Sequence, residues 1–219
     1  MTPALTIDFV SDVSCPWCAV GLSSLTTALD RLSPQVTAIV HLQPFELNPQ
    51  MEPGGQDIAE HLTEKYGSTP EQQAQTRAVI IERGAEVGFE FNPDGRGRIY
   101  NTFNAHRLLH WAGVEHPEHQ LALKTALLVA CHRDNLPMDA DDVLLAAAET
   151  AGLDRGRAID ILSSDEFAAE VRKLESHYTQ AGIRSVPTMI INKRYVISGC
   201  QPADVLEQAL EQMAAEALE

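Results

Sequence analysis

The residues best suited to chemistry in this sequence are two cysteines, Cys15 and Cys18, which flank Pro16 and Trp17. A thiolate attacks a disulfide sulfur to form a mixed disulfide, and a second thiol then resolves it. Three residues along a helix turn a side chain by about 300°, so both cysteines would lie near one helix face and close enough for a disulfide. The spacing is therefore typical of a redox-active pair.

This pair falls where a strand is expected to end and a helix to begin. Alternating apolar residues predict a strand over 4–10, and apolar residues at helical spacing predict a helix over 16–32. The start of a helix has unpaired N–H groups and the positive end of the helix dipole, which favour a thiolate. Because Cys15 lies outside the helix end and Cys18 in the first turn, we assign attack to Cys15 and resolution to Cys18. Trp17 would present an apolar surface beside the attacking sulfur.

The elements that must position the pair begin with a second strand over 36–42, which completes a parallel β-α-β unit. A proline- and glycine-rich linker follows at 49–55. Signals from 57 to 162 are almost all helical, and Thr69 with Gln72 forms a capping box that opens one helix. Further helices in this block are predicted over 102–111, 118–132 and 140–151.

Strand signals return after the helical block. A second capping box at 163–166 predicts a helix that ends at Gly182. A polar turn at 192–194 predicts a hairpin between strands over 187–191 and 195–198, and a closing helix is predicted over 203–218.

Without the helical block, the order of elements is β-α-β-α-β-β-α, which is the order of the thioredoxin fold. We therefore predict an α/β, thioredoxin-like fold with a large all-helical insertion. The expected boundaries are 1–55 and 163–219 for the thioredoxin-like domain and 56–162 for the inserted helical domain.

Composition narrows the classes of partner. The chain has 16 Lys plus Arg against 31 Asp plus Glu, a formal charge of -15, and no basic run. Nucleic acid and anionic membranes are therefore poor partners. The first eight residues carry no basic leader, and no apolar stretch is long enough to span a membrane, so we expect a cytoplasmic protein.

The four cysteines are too few for a disulfide scaffold, which leaves metal binding or redox chemistry. A zinc site would combine the pair with Cys131, His132 or Cys200. Structural zinc usually takes two closely spaced pairs of ligands, and Cys131 and Cys200 have no such partner beyond the adjacent His132. The spacing favours redox chemistry and predicts no metal site.

Four segments carry a resemblance that spans nearly the whole chain: Ser11 to Cys18, Pro44 to Pro49, Asn101 to Leu108, and Ser185 to Thr188 followed by Ser198 to Pro202. With them the sequence resembles the DsbA family. Within that family it is similar to the FrnE-like branch, which is related to 2-hydroxychromene-2-carboxylate isomerases and kappa-class glutathione transferases. Trp17 stands where DsbA has histidine. The strongly oxidising reduction potential of DsbA is therefore not inferred for this chain.

The resemblance implies a second half of the site. It implies that Pro187 is cis and sits against the cysteine pair, and that Val186 offers backbone hydrogen bonds to an extended substrate. A trans proline that begins an edge strand is the alternative. The hairpin should also bring Cys200 close to Pro187. Cys200 is then either a third thiol of the site or a small packing residue, whereas Cys131, in an apolar helical stretch, is expected in the core.

Two further polar residues have open roles. Asp12 lies three residues before Cys15 and could either assist proton transfer during resolution or cap the loop. A carboxylate beside Cys15 would raise the pKa of that thiol. His106 lies in one of the family segments and could line the cleft.

These observations predict a protein disulfide oxidoreductase that acts by dithiol–disulfide exchange. Catalysis is assigned to the cysteine pair, and substrate binding to Pro16, Trp17, Val186, Pro187 and Cys200. No tightly bound cofactor is expected. Glutathione is expected as reductant or ligand, and the substrate as a protein or small molecule that carries a thiol or disulfide.

Two other functions fit the same residues. One is a glutathione-dependent isomerase or transferase on the same fold, in which a single serine stabilises the glutathione thiolate, although two cysteines argue against it. The other is a peptide-binding or holdase module without turnover.

Overall fold

The computed structural model describes residues 4–216. Its helices and strands follow the predicted order closely, with a helical block between two α/β segments. In chain order the elements are β1 (Ala4–Ser11), α1 (Pro16–Leu32), β2 (Thr37–Pro44), β3 (Gln56–Asp57), α2 (Ile58–Tyr66), α3 (Pro70–Glu86), β4 (Arg98–Ile99), α4 (Phe103–Glu115), α5 (Pro117–His132), α6 (Asp141–Thr150), α7 (Arg155–Leu162), α8 (Ala168–Gln180), β5 (Thr188–Ile191), β6 (Tyr195–Ser198) and α9 (Ala203–Glu216).

A four-stranded sheet in the order β2-β1-β5-β6 forms the centre of the fold. β1 pairs in parallel with β2 and antiparallel with β5, and β5 pairs antiparallel with β6. The predicted β-α-β unit and the predicted hairpin are therefore confirmed. The hairpin turns through Asn192 and Lys193, whose φ angles of 52° and 56° are left-handed. The end of the predicted closing helix, beyond residue 216, lies outside the described residues.

The helical block contains α2 to α7. Thr69 and Gln72 make the predicted reciprocal capping box at the start of α3. A two-residue pairing of β3 with β4, which the sequence did not predict, ties the start of α2 to the loop before α4. Gln120 of α5 fixes the block to the sheet, because its side-chain amide bonds the backbone N–H and C=O of Leu42 at 3.1 and 3.2 Å.

The capping box predicted at 163–166 is wrong. Ser163 ends α7, and α8 begins only after Phe167, whose φ is 62°. The carboxylate of Glu166 pairs with Arg157 at 2.7 Å instead of bonding the backbone of a helix start. Ser164 donates its hydroxyl to the Asp160 carbonyl at 2.8 Å. The side chains that would form the box are thus engaged by the preceding helix.

One hydrophobic core joins the sheet to the helical block. It includes fully buried Phe9 on β1 and Trp111 on α4. No helix within residues 4–216 is long and apolar enough to cross a membrane.

Candidate active site

The two cysteines occupy the junction of β1 and α1. Cys15 is the N-cap of α1, with extended φ and ψ of -90° and 114°, and Pro16 takes the first helical position. The N–H of Cys15 donates to the Asp12 carbonyl at 3.3 Å, which closes a turn that we call the active-site loop (residues 12–15). Cys15 is 4% exposed and Cys18 is fully buried. The first sulfur therefore lies nearer the surface than the second.

The two thiols are electrostatically unequal. Hydrogen bonding from the Cys18 thiol lowers the pKa of Cys15 below its usual value, against the opposing effect of burial and of the Asp12 charge. Burial, together with the neighbouring Cys15 sulfur, raises the pKa of Cys18 well above its usual value. These opposite shifts favour ionisation of Cys15 over ionisation of Cys18.

The segment before β5 lies against the Cys15 sulfur. The Val186–Pro187 peptide bond is cis, and the Cys15 thiol lies 3.6 Å from the Val186 carbonyl oxygen. Gly199 donates its N–H to the Pro187 carbonyl at 2.8 Å, so the hairpin does return to this point. Pro187 also packs against α1, since a Cβ on Gly21 would lie 2.9 Å from the proline ring.

That close approach gives a testable prediction. In Gly21→Ala the new methyl group must push the Pro187 ring away, because a contact of 2.9 Å is shorter than real Cβ contacts. We expect a net loss of about 1–2 kcal/mol in the free energy of unfolding, overpacking being offset in part by the helix propensity of alanine. Urea unfolding measures the loss. Gly97→Ala, at an exposed loop position where the nearest atom to a new Cβ would be 3.9 Å away, is the control and should not destabilise. Equal behaviour of the two variants would contradict the packing argument.

A groove of about 680 Å³ extends from Trp17 along α1. The outer face of α1 forms one wall and α3 the other, and the segment after β6 closes the end. Cys200 lines this groove and is half-buried. Burial raises the pKa of the Cys200 thiol, and the nearby Arg83 and Ser24 oppose that shift. The topology therefore places Cys200 beside the site, as expected from the hairpin. A separate depression of about 570 Å³ is lined by residues from Thr6 and Asp8 to Lys193, away from the thiols.

Asp12 is the first residue of the active-site loop, and its buried side chain accepts four hydrogen bonds. Its Oδ1 accepts from the Ser14 N–H at 3.1 Å and the Thr102 hydroxyl at 2.8 Å. Its Oδ2 accepts from the Leu47 N–H at 2.7 Å and the Ser14 hydroxyl at 3.0 Å. Burial alone would raise the pKa of Asp12, but His106 and these donors outweigh burial and hold the pKa well below its usual range. Asp12 is therefore an ionised loop cap.

His106 does not line the cleft. It is 1% exposed, and its Nε2 lies 3.4 Å from the Asp12 carboxylate, behind the active-site loop. The position follows from α4, which packs against β2 and carries the buried Ala105 and Leu108 on either side.

The sequence did not predict the burial of the polar residues of α5, among them His132, which it offered only as a zinc ligand. His132 donates from Nε2 to the Val13 carbonyl at 2.9 Å, and burial lowers the pKa of His132 well below its usual value. Lys124 is 1% exposed on the same helix. The available signal was a single charged residue inside the apolar stretch 121–131.

The remaining cysteine does not join the pair. Cys131 is buried in the core, and its sulfur accepts a hydrogen bond from Arg96 at 3.4 Å. Within residues 4–216, no three side chains of His, Cys, Asp or Glu are placed to hold a metal ion together.

A parallel β-α-β unit, an antiparallel hairpin and a thiol pair at the N-terminus of the first helix define a protein of thioredoxin-like fold. The model of the DSBA-like thioredoxin domain family matches residues 6–211, and the chain belongs to that family. The predicted fold class and family resemblance are thereby confirmed. No curated protein sequence matches the chain.

Solved structures agree with this assignment. The chain is similar to the probable DsbA oxidoreductase of Streptomyces coelicolor, with 31% identity, a TM-score of 0.85, and coverage of 95% of this chain and 89% of that one. A 2-hydroxychromene-2-carboxylate isomerase shares the fold at 14% identity and a TM-score of 0.73, with 96% and 97% coverage. The cytosolic disulfide reductase DsbM of Pseudomonas aeruginosa, solved with GSH, shares it at 17% identity and a TM-score of 0.64, with 95% and 98% coverage.

Proposed function

We propose that this protein is a thiol–disulfide oxidoreductase that works by dithiol–disulfide exchange between Cys15 and Cys18. The observation that carries the proposal is the placement of the Cys15 sulfur, at the N-terminus of α1 and 3.6 Å from the Val186 carbonyl, with Cys18 buried behind it. Family membership supports the same chemistry, since the relative of 31% identity is named as a probable DsbA oxidoreductase.

The first step of this exchange belongs to Cys15. Its thiolate attacks one sulfur of a substrate disulfide, the substrate S–S bond breaks, and the other substrate sulfur leaves as a thiolate. The carbonyl of Val186 is available to an N–H of an extended substrate once the Cys15 thiol has reacted, which aligns the substrate in a strand-like manner. Trp17 and Pro16 are proposed as the apolar surface beside the new bond, and Cys200 as part of the groove that receives the substrate.

The second step belongs to Cys18. Its thiolate attacks the Cys15 sulfur, the bond to the substrate breaks, and the substrate leaves as a thiol while the pair becomes a disulfide. Two molecules of glutathione then reduce that disulfide and form one molecule of oxidised glutathione. The presence of GSH in the DsbM structure supports glutathione as the reductant, and the cytosolic origin of DsbM supports a cytoplasmic location for this chain.

The decisive test is the reduction of insulin disulfides with glutathione as the electron source. The reaction is monitored through the oxidation of NADPH by glutathione reductase, which regenerates the glutathione. We expect the native protein to accelerate NADPH oxidation in proportion to its concentration. Inactivity toward insulin, combined with turnover of a small aromatic substrate in the presence of glutathione, would replace the proposal with a glutathione-dependent isomerase. Binding of unfolded client without any turnover would replace it with a holdase.

The other two cysteines supply matched controls for this assay. Cys131→Ala removes a core thiol held by Arg96 and should leave the rate unchanged. Cys200→Ala tests the groove, and as a binding residue Cys200 should affect KM for insulin rather than kcat. A large loss of kcat in Cys200→Ala would instead make Cys200 a third redox thiol.

A further inference from the structure

The groove beside α1 contains a buried hydroxyl that the folded chain does not use. Ser24 lines this groove and is 1% exposed. Within residues 4–216, its hydroxyl oxygen forms no hydrogen bond. A buried polar group without a partner costs free energy, and nearly all such groups in proteins are hydrogen-bonded. The partner of the Ser24 hydroxyl is therefore to be sought outside the chain.

The helix that carries Ser24 satisfies its other buried hydroxyls internally. Serine and threonine in a helix can donate to the carbonyl four residues earlier, and Thr26 and Thr27 of α1 do so at 2.9 Å. Ser24 makes no such bond to Val20. The Cys200 thiol is near enough for Ser24 to lower its pKa, but a thiol is a weak hydrogen-bond partner and no hydrogen bond joins the two. The hydroxyl of Ser24 is thus available to a ligand in the groove.

Both arginines that line the groove are paired with carboxylates. Arg83 pairs with Glu86 at 2.9 Å, and Arg31 pairs with Glu207 at 3.4 Å. Apolar side chains supply much of the remaining wall, namely Trp17, Val20, Val79 and Val87. This composition is typical of a binding site, in which apolar surface gives affinity and a few polar groups give selectivity. Ser24 is a polar group of that kind.

The groove is continuous with the exchange site. The Val186 carbonyl oxygen lies 3.6 Å from the Cys15 sulfur. Gly199 donates its N–H to the Pro187 carbonyl at 2.8 Å, and the residue that follows Gly199 lines the groove. An extended polypeptide aligned on the Val186 carbonyl can therefore continue into the groove.

Helix geometry sets how far along such a polypeptide Ser24 is reached. Trp17, Val20 and Ser24 follow one face of α1, because they are spaced by three and four residues. Nine residues separate Ser24 from Cys15, which is about 13 Å along the helix axis. An extended chain advances about 3.3 Å per residue. About four residues of substrate therefore span the distance from the reactive sulfur to Ser24.

We propose that Ser24 selects protein substrates with a hydrogen-bonding side chain about four residues from the reactive cysteine; the inference rests on the proposed exchange function. The substrate segment in the groove is extended and largely apolar, and a threonine, serine or asparagine side chain on it bonds the Ser24 hydroxyl. A valine at that position leaves the hydroxyl without a partner. Glutathione extends only one residue on either side of its cysteine, so it does not reach Ser24.

The experiment compares peptides that differ only in threonine or valine, two side chains of nearly the same shape. Each peptide has one cysteine, joined by a disulfide to thionitrobenzoate, and the variable residue four positions before or after it. The Cys15 thiolate attacks the peptide sulfur, the bond to thionitrobenzoate breaks, and the coloured thiolate that leaves is measured by absorbance. At one of the two positions, we expect native reduced protein to react about 3- to 10-fold faster with the threonine peptide. In Ser24→Ala this preference should disappear.

Thr27→Val is the matched control, because Thr27 lines the same groove but its hydroxyl already donates to the Ser23 carbonyl. It should keep the native preference. Equal rates for the two peptides in a native protein that reduces insulin, or a preference that survives in Ser24→Ala, would overturn the role of Ser24 and leave the exchange function standing. A native protein that reacts with neither the peptides nor insulin would overturn the proposed function and this inference together.

Two further measurements on Ser24→Ala need no peptide. The variant should unfold in urea at the native midpoint or above it, because alanine removes an unpaired buried hydroxyl and favours the helix. A lower midpoint would mean that the folded chain already bonds this hydroxyl, and would overturn the inference. The variant should also react with oxidised glutathione at the native rate. A slower reaction would show that Ser24 acts on the exchange site rather than on the substrate, and would overturn the inference as well.

Discussion

Replacing Cys15 with serine should abolish disulfide reduction, whereas replacing Cys18 with serine should trap the substrate on the protein. We expect each variant to lose at least about 10³-fold in insulin reduction, because a serine hydroxyl neither ionises near neutral pH nor forms a disulfide. The two losses differ in kind. Cys15→Ser stops before the mixed disulfide, and Cys18→Ser stops after it.

The physical reason is the inequality of the two thiols. Cys15 has the lowered pKa and the position nearest the surface, so it reacts first. Cys18 is fully buried and reaches only the Cys15 sulfur, so its loss leaves the mixed disulfide without an intramolecular attacker. Non-reducing mass spectrometry after incubation with oxidised glutathione should find a stable adduct on Cys15 in Cys18→Ser.

Cys131→Ala provides the control for general thiol loss and should show neither defect. An adduct that accumulates on Cys18 in Cys15→Ser, at the rate seen for Cys15 in the other variant, would reverse the assigned roles. Full activity in Cys18→Ser would exclude a two-thiol mechanism and favour a single thiol that works with glutathione.

The parts of the site that local patterns determine could be predicted from the sequence. The cysteine spacing, the strand before it and the proline at the first helical position act over a few residues, and α1 begins at Pro16 as expected. The capping box at Thr69 is equally local and was also correct. These features depend on residues that are close in sequence, so a single sequence is enough to predict them.

Features that depend on distant partners could not be predicted. The residues 163–166 have the pattern of a helix start, but the ion pair of Arg157 with Glu166 and the hydrogen bond of the Glu166 carbonyl with Arg107 engage them elsewhere. His106 and Lys124 are buried because α4 and α5 pack against the sheet. The single charged residue inside the apolar stretch 121–131 does not by itself show which face of α5 is covered.

Asp12 shows how tertiary contacts decide between two roles that the sequence leaves open. The sequence allows either a proton carrier for resolution or a cap for the loop. The donors that make it a cap come from three places in the chain, namely Ser14, Leu47 and Thr102. The latter two lie 35 and 90 residues away, so no local pattern could reveal them.

Asp12→Asn should therefore destabilise the protein while making Cys15 more acidic. The asparagine amide nitrogen would face donors where a carboxylate oxygen now accepts, and the buried N–H of Leu47 or the hydroxyl of Thr102 would lose its acceptor. We expect a loss of about 2–4 kcal/mol in the free energy of unfolding at pH 7. The Asp12 charge raises the pKa of Cys15, so its removal should lower that pKa.

The pH dependence of this loss tests whether Asp12 acts as an ionised group. Its folded pKa lies below its unfolded value of about 3.9, so its contribution is complete above that pH and disappears as pH falls towards the folded pKa. The difference between native and Asp12→Asn in urea unfolding should be constant from about pH 5 to 7 and shrink below about pH 4.

The lowered pKa of Cys15 can be measured from the rate at which iodoacetamide alkylates this thiol at a series of pH values. Asp8→Asn on β1 is the matched control, because the Asp8 carboxylate accepts a hydrogen bond from Gln43 and does not bond the loop. We expect a lowered Cys15 pKa in Asp12→Asn but not in Asp8→Asn. This result would show that the Asp12 carboxylate stabilises the loop and at the same time raises the pKa of Cys15. Equal stability of Asp12→Asn and the native protein at pH 7 would mean that the four hydrogen bonds do not hold the loop. The position of Cys15 beside Val186 would then depend on the packing of Pro187 against α1 instead.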